Sequence, residues 1–165
     1  MRVIYSERKN VTLIDDTWNS RNIRETIGTS PKEEEILMLG HGCEDGLFSP
    51  YGNKQFARLI VDSKLVYLLR EHPCIGIWCN ANMFAKKHNL KGLFSGMIIS
   101  EAEEAWDCGV DIEREDLDVN NNQLADDLRY CLKKYPLELI PQKMLDIQDY
   151  HSELKDFNYN NIFYY

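Results

Sequence analysis

Short apolar runs alternate along this chain with polar, turn-rich segments. Ile36-Leu37-Met38-Leu39 runs into Gly40-His41-Gly42, and Cys74-Ile75-Gly76-Ile77-Trp78 runs into Cys79-Asn80-Ala81. Both runs have the length and composition of strands, and a glycine or a helix start follows each. Residues 93–99 form a further apolar strand. Helical spacing appears between these runs. Ile23 and Ile27 lie four apart in a short helix over 19–27 that Gly28 stops. Leu65, Val66, Leu68 and Leu69 mark one face of a helix that Asp62 or Ser63 can cap and Pro73 ends. Residues 81–88 read as a helix with Lys86, Lys87 and His88 at its C-terminal end, where the macrodipole favours cations. Leu124, Leu128, Cys131 and Leu132 mark an amphipathic helix ending at Pro136, and Pro141 opens a last helix through Leu154.

The remaining segments carry weaker signals. Residues 2–5 and 11–14 can form a hairpin around the polar turn 6–10. Within and beside the turn-rich loop 42–53, Leu47-Phe48 and Phe56-Ala57 can pair as a small hairpin. The acidic stretch 101–107 starts as a helix or a loop. Residues 110–122 are charged and poorly periodic, which predicts a mobile loop. The aromatic tail 157–165 is a closing strand or a docking segment. Strands alternating with helices predict an α/β domain with a largely parallel central sheet covered by helices on both faces, joined by right-handed crossovers.

The chain has 165 residues, the size of one domain spanning 1–165. Such a chain buries roughly 70% of its unfolded surface, enough for a core without staples. Hydrophobic residues make up 44% and charged residues 28%, which is the balance of an ordinary globular protein. The net charge of −8 argues against a nucleic-acid partner, because phosphate contacts need clustered Lys and Arg. No apolar stretch approaches the ~20 residues of a membrane span or resembles a secretory leader. The five cysteines, Cys43, Cys74, Cys79, Cys108 and Cys131, are odd in number and irregular in spacing. A reducing, cytoplasmic setting fits them better than a disulfide framework.

In an α/β sheet, parallel strands deliver their C-terminal ends to the edge where ligands bind. If the strands ending at residues 39 and 77 are neighbours, His41 and Cys79 emerge side by side, which is the arrangement a cysteine nucleophile and its base require. The separation leaves room for one loop and one crossover helix. A thiol at a helix start has its thiolate stabilised by free backbone N–H groups, and the same amides can hold an oxyanion. His41 can act as acid or base near neutral pH, and Gly42 permits close approach of a substrate carbonyl. The alternatives are a cysteine that fills space at a strand end and a histidine tied to loop carbonyls. A metal site built from His41, Cys43, Cys74, Cys79 or His88 lacks the usual paired ligand spacing. A phosphatase loop fails because no arginine follows Cys79 at the required distance, and no glycine-rich phosphate loop is present.

These features resemble the caspase-like cysteine peptidases, a group that includes caspases, metacaspases, gingipains, legumain, separase and the bacterial CHAT proteins. Residues 36–42 are similar to the histidine strand and residues 74–81 to the cysteine strand. Gly46-Leu47-Phe48-Ser49-Pro50 is similar to the hairpin that follows the histidine in CHAT-type members, and 93–100 with Glu101-Ala102-Glu103 to the next strand and its acidic loop. The resemblance implies a three-layer α/β sandwich, Cys79 as nucleophile, His41 as general base or acid, and the backbone N–H groups of Gly42 and Cys79 as oxyanion hole. It implies hydrolysis of a peptide or protein substrate without metal or cofactor. Trp78 stands where many members carry a small residue, and the Gln-Ala-Cys pattern of aspartate-specific members is absent. Glu101, Glu103 and Asp107 follow the next strand, where a carboxylate can bind a basic substrate side chain. The alternative is a solvated acidic first turn of a helix. Two rival functions remain: a catalytically inactive interaction module on the same fold, and another acyl transfer such as ligation or deamidation.

Overall fold

Leucine- and isoleucine-rich segments too short for stable helices pair into the central sheet, and longer periodic segments pack over it. The computed structural model describes residues 2–6, 11–14, 18–49 and 59–165. In chain order the elements are α1 (Ser20–Thr29), β1 (Ile36–Leu39), β2 (Gly42–Cys43), β3 (Gly46–Phe48), β4 (Leu59–Val61), α2 (Val66–Leu69), β5 (Cys74–Ile77), α3 (Ala81–His88), β6 (Gly92–Ser95), α4 (Ala102–Asp107), α5 (Arg114–Lys134), α6 (Ile140–Asp146), α7 (Glu153–Asn160) and β7 (Ile162–Tyr164). The main sheet has the order β1-β5-β6-β7. β1, β5 and β6 run parallel, and β7 closes the edge antiparallel to β6. A second, antiparallel sheet of order β2-β3-β4 follows β1.

Period-two alternation divides the core in two. Met38, Cys74 and Phe94 face one side, where they meet Ile23 and Ile27 of α1, Val66 and Leu69 of α2, and Phe84 and Ala85 of α3. Ile75, Ile77 and Leu93 face the other side, where they meet Leu124, Leu128 and Cys131 of α5, Ile140 and Met144 of α6, and Tyr159 of α7. The fold is therefore mixed α/β, with a mostly parallel sheet covered by helices on both faces.

Several boundaries differ from the sequence expectation. Residues 2–4 form a 3-10 turn rather than a strand, and 11–14 have no regular structure. Val3 and Ile4 pack into the same cluster, which a tight turn allows and an alternating strand does not. α1 passes through Gly28 and stops at Ser30, the residue before Pro31, which is extended. Its start is as expected, with Asn19 Oδ1 accepting from the amides of Arg21 and Asn22, each at 2.9 Å. Leu47 and Phe48 do enter a small sheet, paired with β2 and β4; Phe56-Ala57 lies outside the described residues.

The apolar run after residue 92 is a strand only to Ser95. Beyond it, Asn158 takes the place of a neighbouring strand: its side chain accepts from Ile99 N at 2.8 Å and donates to Ile99 O at 3.0 Å. The expected mobile loop 110–122 is largely the start of α5. Leu117, Asn120, Leu124, Ala125, Leu128 and Cys131 are buried along it, and all but Ala125 follow one another at three or four residues. The acidic residues of this helix lie between those positions and hide the period. The expected last helix is two helices, because Ser152 caps α7 by accepting from Lys155 N at 3.2 Å. The tail is structural: β7 is a strand of the main sheet.

Candidate functional site

The site lies at the C-terminal ends of β1 and β5. These strands pair parallel and in register from Ile36 opposite Cys74 to Leu39 opposite Ile77. Gly40 N extends the pairing by donating to Ile77 O at 3.2 Å. His41 and Cys79 thus each stand two residues past the last paired position of adjacent strands. The strand adjacency inferred from the sequence is present.

Past β1 the chain turns sharply. Gly40 adopts φ +152°, His41 is exposed, and its carbonyl accepts from Phe48 N at 2.8 Å as the hairpin begins. Gly42 sits opposite Leu47. It is glycine for a steric reason: a Cβ there would meet Trp78 Cδ1 at 2.3 Å and Gly46 O at 2.5 Å. The Trp78 indole packs against the hairpin, 2% exposed, and donates through Nε1 to Cys43 O at 3.1 Å. Ser95 Oγ accepts from Trp78 N at 3.0 Å and donates to Trp78 O at 2.8 Å. The bulky residue before the cysteine therefore packs into the core and braces the hairpin.

Past β5 the chain turns at Asn80, which holds a left-handed conformation (φ +66°) and donates from its amide to Gly96 O at 3.0 Å. Left-handed asparagine recurs where a strand must turn tightly into a helix. Trp78 points into one face, and Cys79 toward the segment leading into α4. The half-buried Cys79 thiol lies 3.6 Å from Ile98 O and 3.8 Å from Glu104 Oε1. Both partners are acceptors, so the single thiol proton is shared between them. Burial pushes the Cys79 thiol up from its ordinary range; the Ile98 contact lowers it by less, and the charge of Glu104, its hydrogen bond and Cys108 each add a smaller rise. The helix-start argument expects a lowered value; desolvation and a nearby carboxylate outweigh it here. Among the described residues, no hydrogen bond joins the His41 ring to the thiol.

Glu101, Glu103 and Asp107 are exposed at the start and along the outer side of α4. Glu104 is the carboxylate that α4 turns inward. The sequence carries a signal for it, an acid three residues after the helix cap, a pattern in which the side chain folds back onto the cap amide. Ser100 N, Ser100 Oγ and Glu101 N all donate to Glu104 Oε2, at 2.7, 3.0 and 3.1 Å.

All five cysteines are free. Among the described residues, no group of three or more His, Cys, Asp or Glu side chains is arranged to hold a metal ion, and no helix is long and apolar enough to cross a membrane. A cavity of about 750 Å³ lies elsewhere, lined by Arg21 and Arg24 of α1 together with Leu59, Asp62 and Lys64, and includes none of these site residues. No protein-family model matches the chain, and neither the curated proteins nor the solved structures contain a match.

Proposed function

We propose that the protein is a cysteine endopeptidase of caspase-like architecture, with Cys79 as nucleophile and His41 as the group that moves the proton. The observation that supports this reading is the in-register parallel pairing of β1 with β5, whose C-terminal ends lead into His41 and Cys79. The chemistry follows from the acceptor environment of the sulfur. At rest the thiol is protonated, so reaction begins when the imidazole takes that proton. The sulfur then forms a bond to the scissile carbonyl carbon, and the backbone N–H groups of Gly42 and Cys79 serve as donors to the developing oxyanion. The imidazolium returns the proton to the leaving amine as the C–N bond breaks. Water, deprotonated by the same imidazole, hydrolyses the thioester and the thiol is restored. Glu101, Glu103 and Asp107, exposed on the acidic helix beside the sulfur, suit a basic residue on the acyl side of the cleaved bond.

The test is a peptide library incubated with the purified chain and read by mass spectrometry for hydrolysis and transfer products. Cleavage after Lys or Arg that falls to background in both Cys79→Ala and His41→Ala supports the reading. Absence of cleavage, or cleavage that survives both substitutions, overturns it. Transfer without hydrolysis points to a ligase on the same dyad.

The acceptor partners of the thiol favour a second reading, a non-catalytic interaction module. A thiol satisfied by a carbonyl and a carboxylate is a structural cysteine in many folds, and Trp106 on α4 is 85% exposed, as an anchor for a partner protein would be. Reaction of Cys79 with a peptidyl thiol probe at a rate that does not change in His41→Ala favours the module.

A further inference from the structure

Glu104 has an unequal pair of oxygens. Oε2 takes all three donors that brace the side chain, from Ser100 N, Ser100 Oγ and Glu101 N. Oε1 is left toward the sulfur, with Cys79 Sγ at 3.8 Å. A bracing network on one oxygen fixes where the other points, because a carboxylate so anchored has no free rotation left. We propose that Glu104 is the positioning residue of Cys79: through Oε1 it holds the proton on the sulfur, and so keeps the cysteine latent until His41 removes that proton.

The electrostatics agree with the geometry. A negative charge next to a thiol disfavours the thiolate, and both Cys79 and Cys108 are pushed up in part by Glu104. Cys108 lies one helical turn after Glu104 and its amide donates to Glu104 O at 3.0 Å, so the two cysteines flank one carboxylate. The charged or titratable groups that act on the Cys79 sulfur are Glu104 and Cys108, both from the α4 segment. The thiolate is the reactive form, so a carboxylate in this place suppresses reactivity rather than creating it. The inference rests on Cys79 being the nucleophile, but its test does not require peptide cleavage.

The experiment is the pH profile of iodoacetamide alkylation at Cys79, followed at peptide level by mass spectrometry in the full chain. Glu104→Gln keeps the size and loses the charge. Its profile moves to lower pH than the parent's and its rate at neutral pH rises several-fold, yet the profile stays above that of an ordinary thiol because burial persists. Glu104→Asp keeps the charge and stays nearer the parent. Ser100→Ala removes one brace from Oε2 and moves the profile in the same direction by less. Glu138→Gln, the same charge loss on a different element, moves nothing. Superimposable profiles for the parent and Glu104→Gln overturn the proposal, as does a shift to higher pH. If Glu104→Gln exposes Cys74 and Cys131 to the reagent, and so has unfolded, the Ser100→Ala profile decides by the same criterion. A shifted profile with no peptide cleavage removes the peptidase reading and keeps this inference; cleavage with an unshifted profile does the reverse.

Discussion

Replacing Gly42 by alanine adds a single methyl group at the hinge between the main sheet and the hairpin after His41. The structure fixes what that methyl meets: Trp78 Cδ1 at 2.3 Å and Gly46 O at 2.5 Å. Neither neighbour yields easily. The indole is buried, held through Nε1 by Cys43 O and set edge-on to Phe84 with ring centroids 5.9 Å apart. Gly46 O belongs to the strand opposite. Overpacking a core usually costs 1–3 kcal/mol, and with one contact to backbone and one to a pinned indole the upper end applies, ~3 kcal/mol. For a chain of this size each kcal/mol moves the midpoint by ~2–4 °C, so Gly42→Ala lowers Tm by ~6–12 °C. The assay is thermal unfolding by circular dichroism, with intrinsic tryptophan emission reporting on Trp78. Gly28→Ala is the internal control of opposite sign. Gly28 is helical and its added methyl meets only Leu68 Cδ2 at 3.5 Å, so the change stabilises by ~0.5–1 kcal/mol. A Gly42→Ala protein that melts within a degree of the parent refutes the steric account of the hinge, and with it the view that Trp78 supports the hairpin.

Four further outcomes are expected. Asn158→Ala strands two buried backbone groups of Ile99 and costs ~2–4 kcal/mol, read from urea unfolding midpoints; a loss under half of that contradicts the role given to the side chain. Lys155 has a fully buried side chain whose Nζ lies 2.5 Å from the exposed carboxylate of Asp149 and 3.9 Å from the Tyr150 ring centre, so Asp149→Asn leaves a buried cation without its counter-ion and lowers Tm more than Lys155→Met, which leaves an exposed carboxylate; the reverse order sinks this reading. The Lys155 hydrogen bond holds the Asp149 carboxyl below its ordinary value of 3.8, so its share of stability is complete above that value and disappears as pH falls through the lowered one, a loss absent from Asp149→Asn melts. Burial pushes the Cys74 thiol up to about 12 and the Cys131 thiol up to about 11, so both resist alkylation in the native chain and react on unfolding; native labelling of either at the rate of Cys43 contradicts their placement in the core.

Much of the framework was legible because local and long-range signals agreed. The runs ending at residues 39 and 77 carry strand composition, a turn signal and the right separation for one crossover, and they pair as expected. α1 was readable from the spacing of Ile23 and Ile27, and α3 from the run 81–88 with its cations in the last turn. α5 was obscured because its first turns expose acids and asparagines on every side but one, and a buried stripe of Leu117, Asn120 and Leu124 is thin evidence before the tertiary partner is known. Ile98 and Ile99 look like strand residues and are buried like them, but the side-chain amide of Asn158, far along the chain, supplies the pairing of Ile99. At the site, His41, Gly42 and Cys79 could be named from strand ends alone. Among the acids Glu101, Glu103, Glu104 and Asp107, Glu104 carried one local signal, its place three residues after the cap, and that singles it out only once Glu101 is known to cap α4. Only the helical phase of α4 decides which of them turns toward the sulfur. The direction of the thiol shift was equally hidden, because it depends on burial and on that carboxylate.

The central claim is that the imidazole following β1 serves the thiol following β5. The most direct measurement is intact-protein mass spectrometry after exposure to a peptidyl acyloxymethyl ketone ending in lysine, in the parent chain and in His41→Ala. A single adduct on Cys79, formed in the parent and lost in the variant, is the predicted result. Equal labelling of both proteins, or an adduct spread over several cysteines and absent from Cys79, contradicts it.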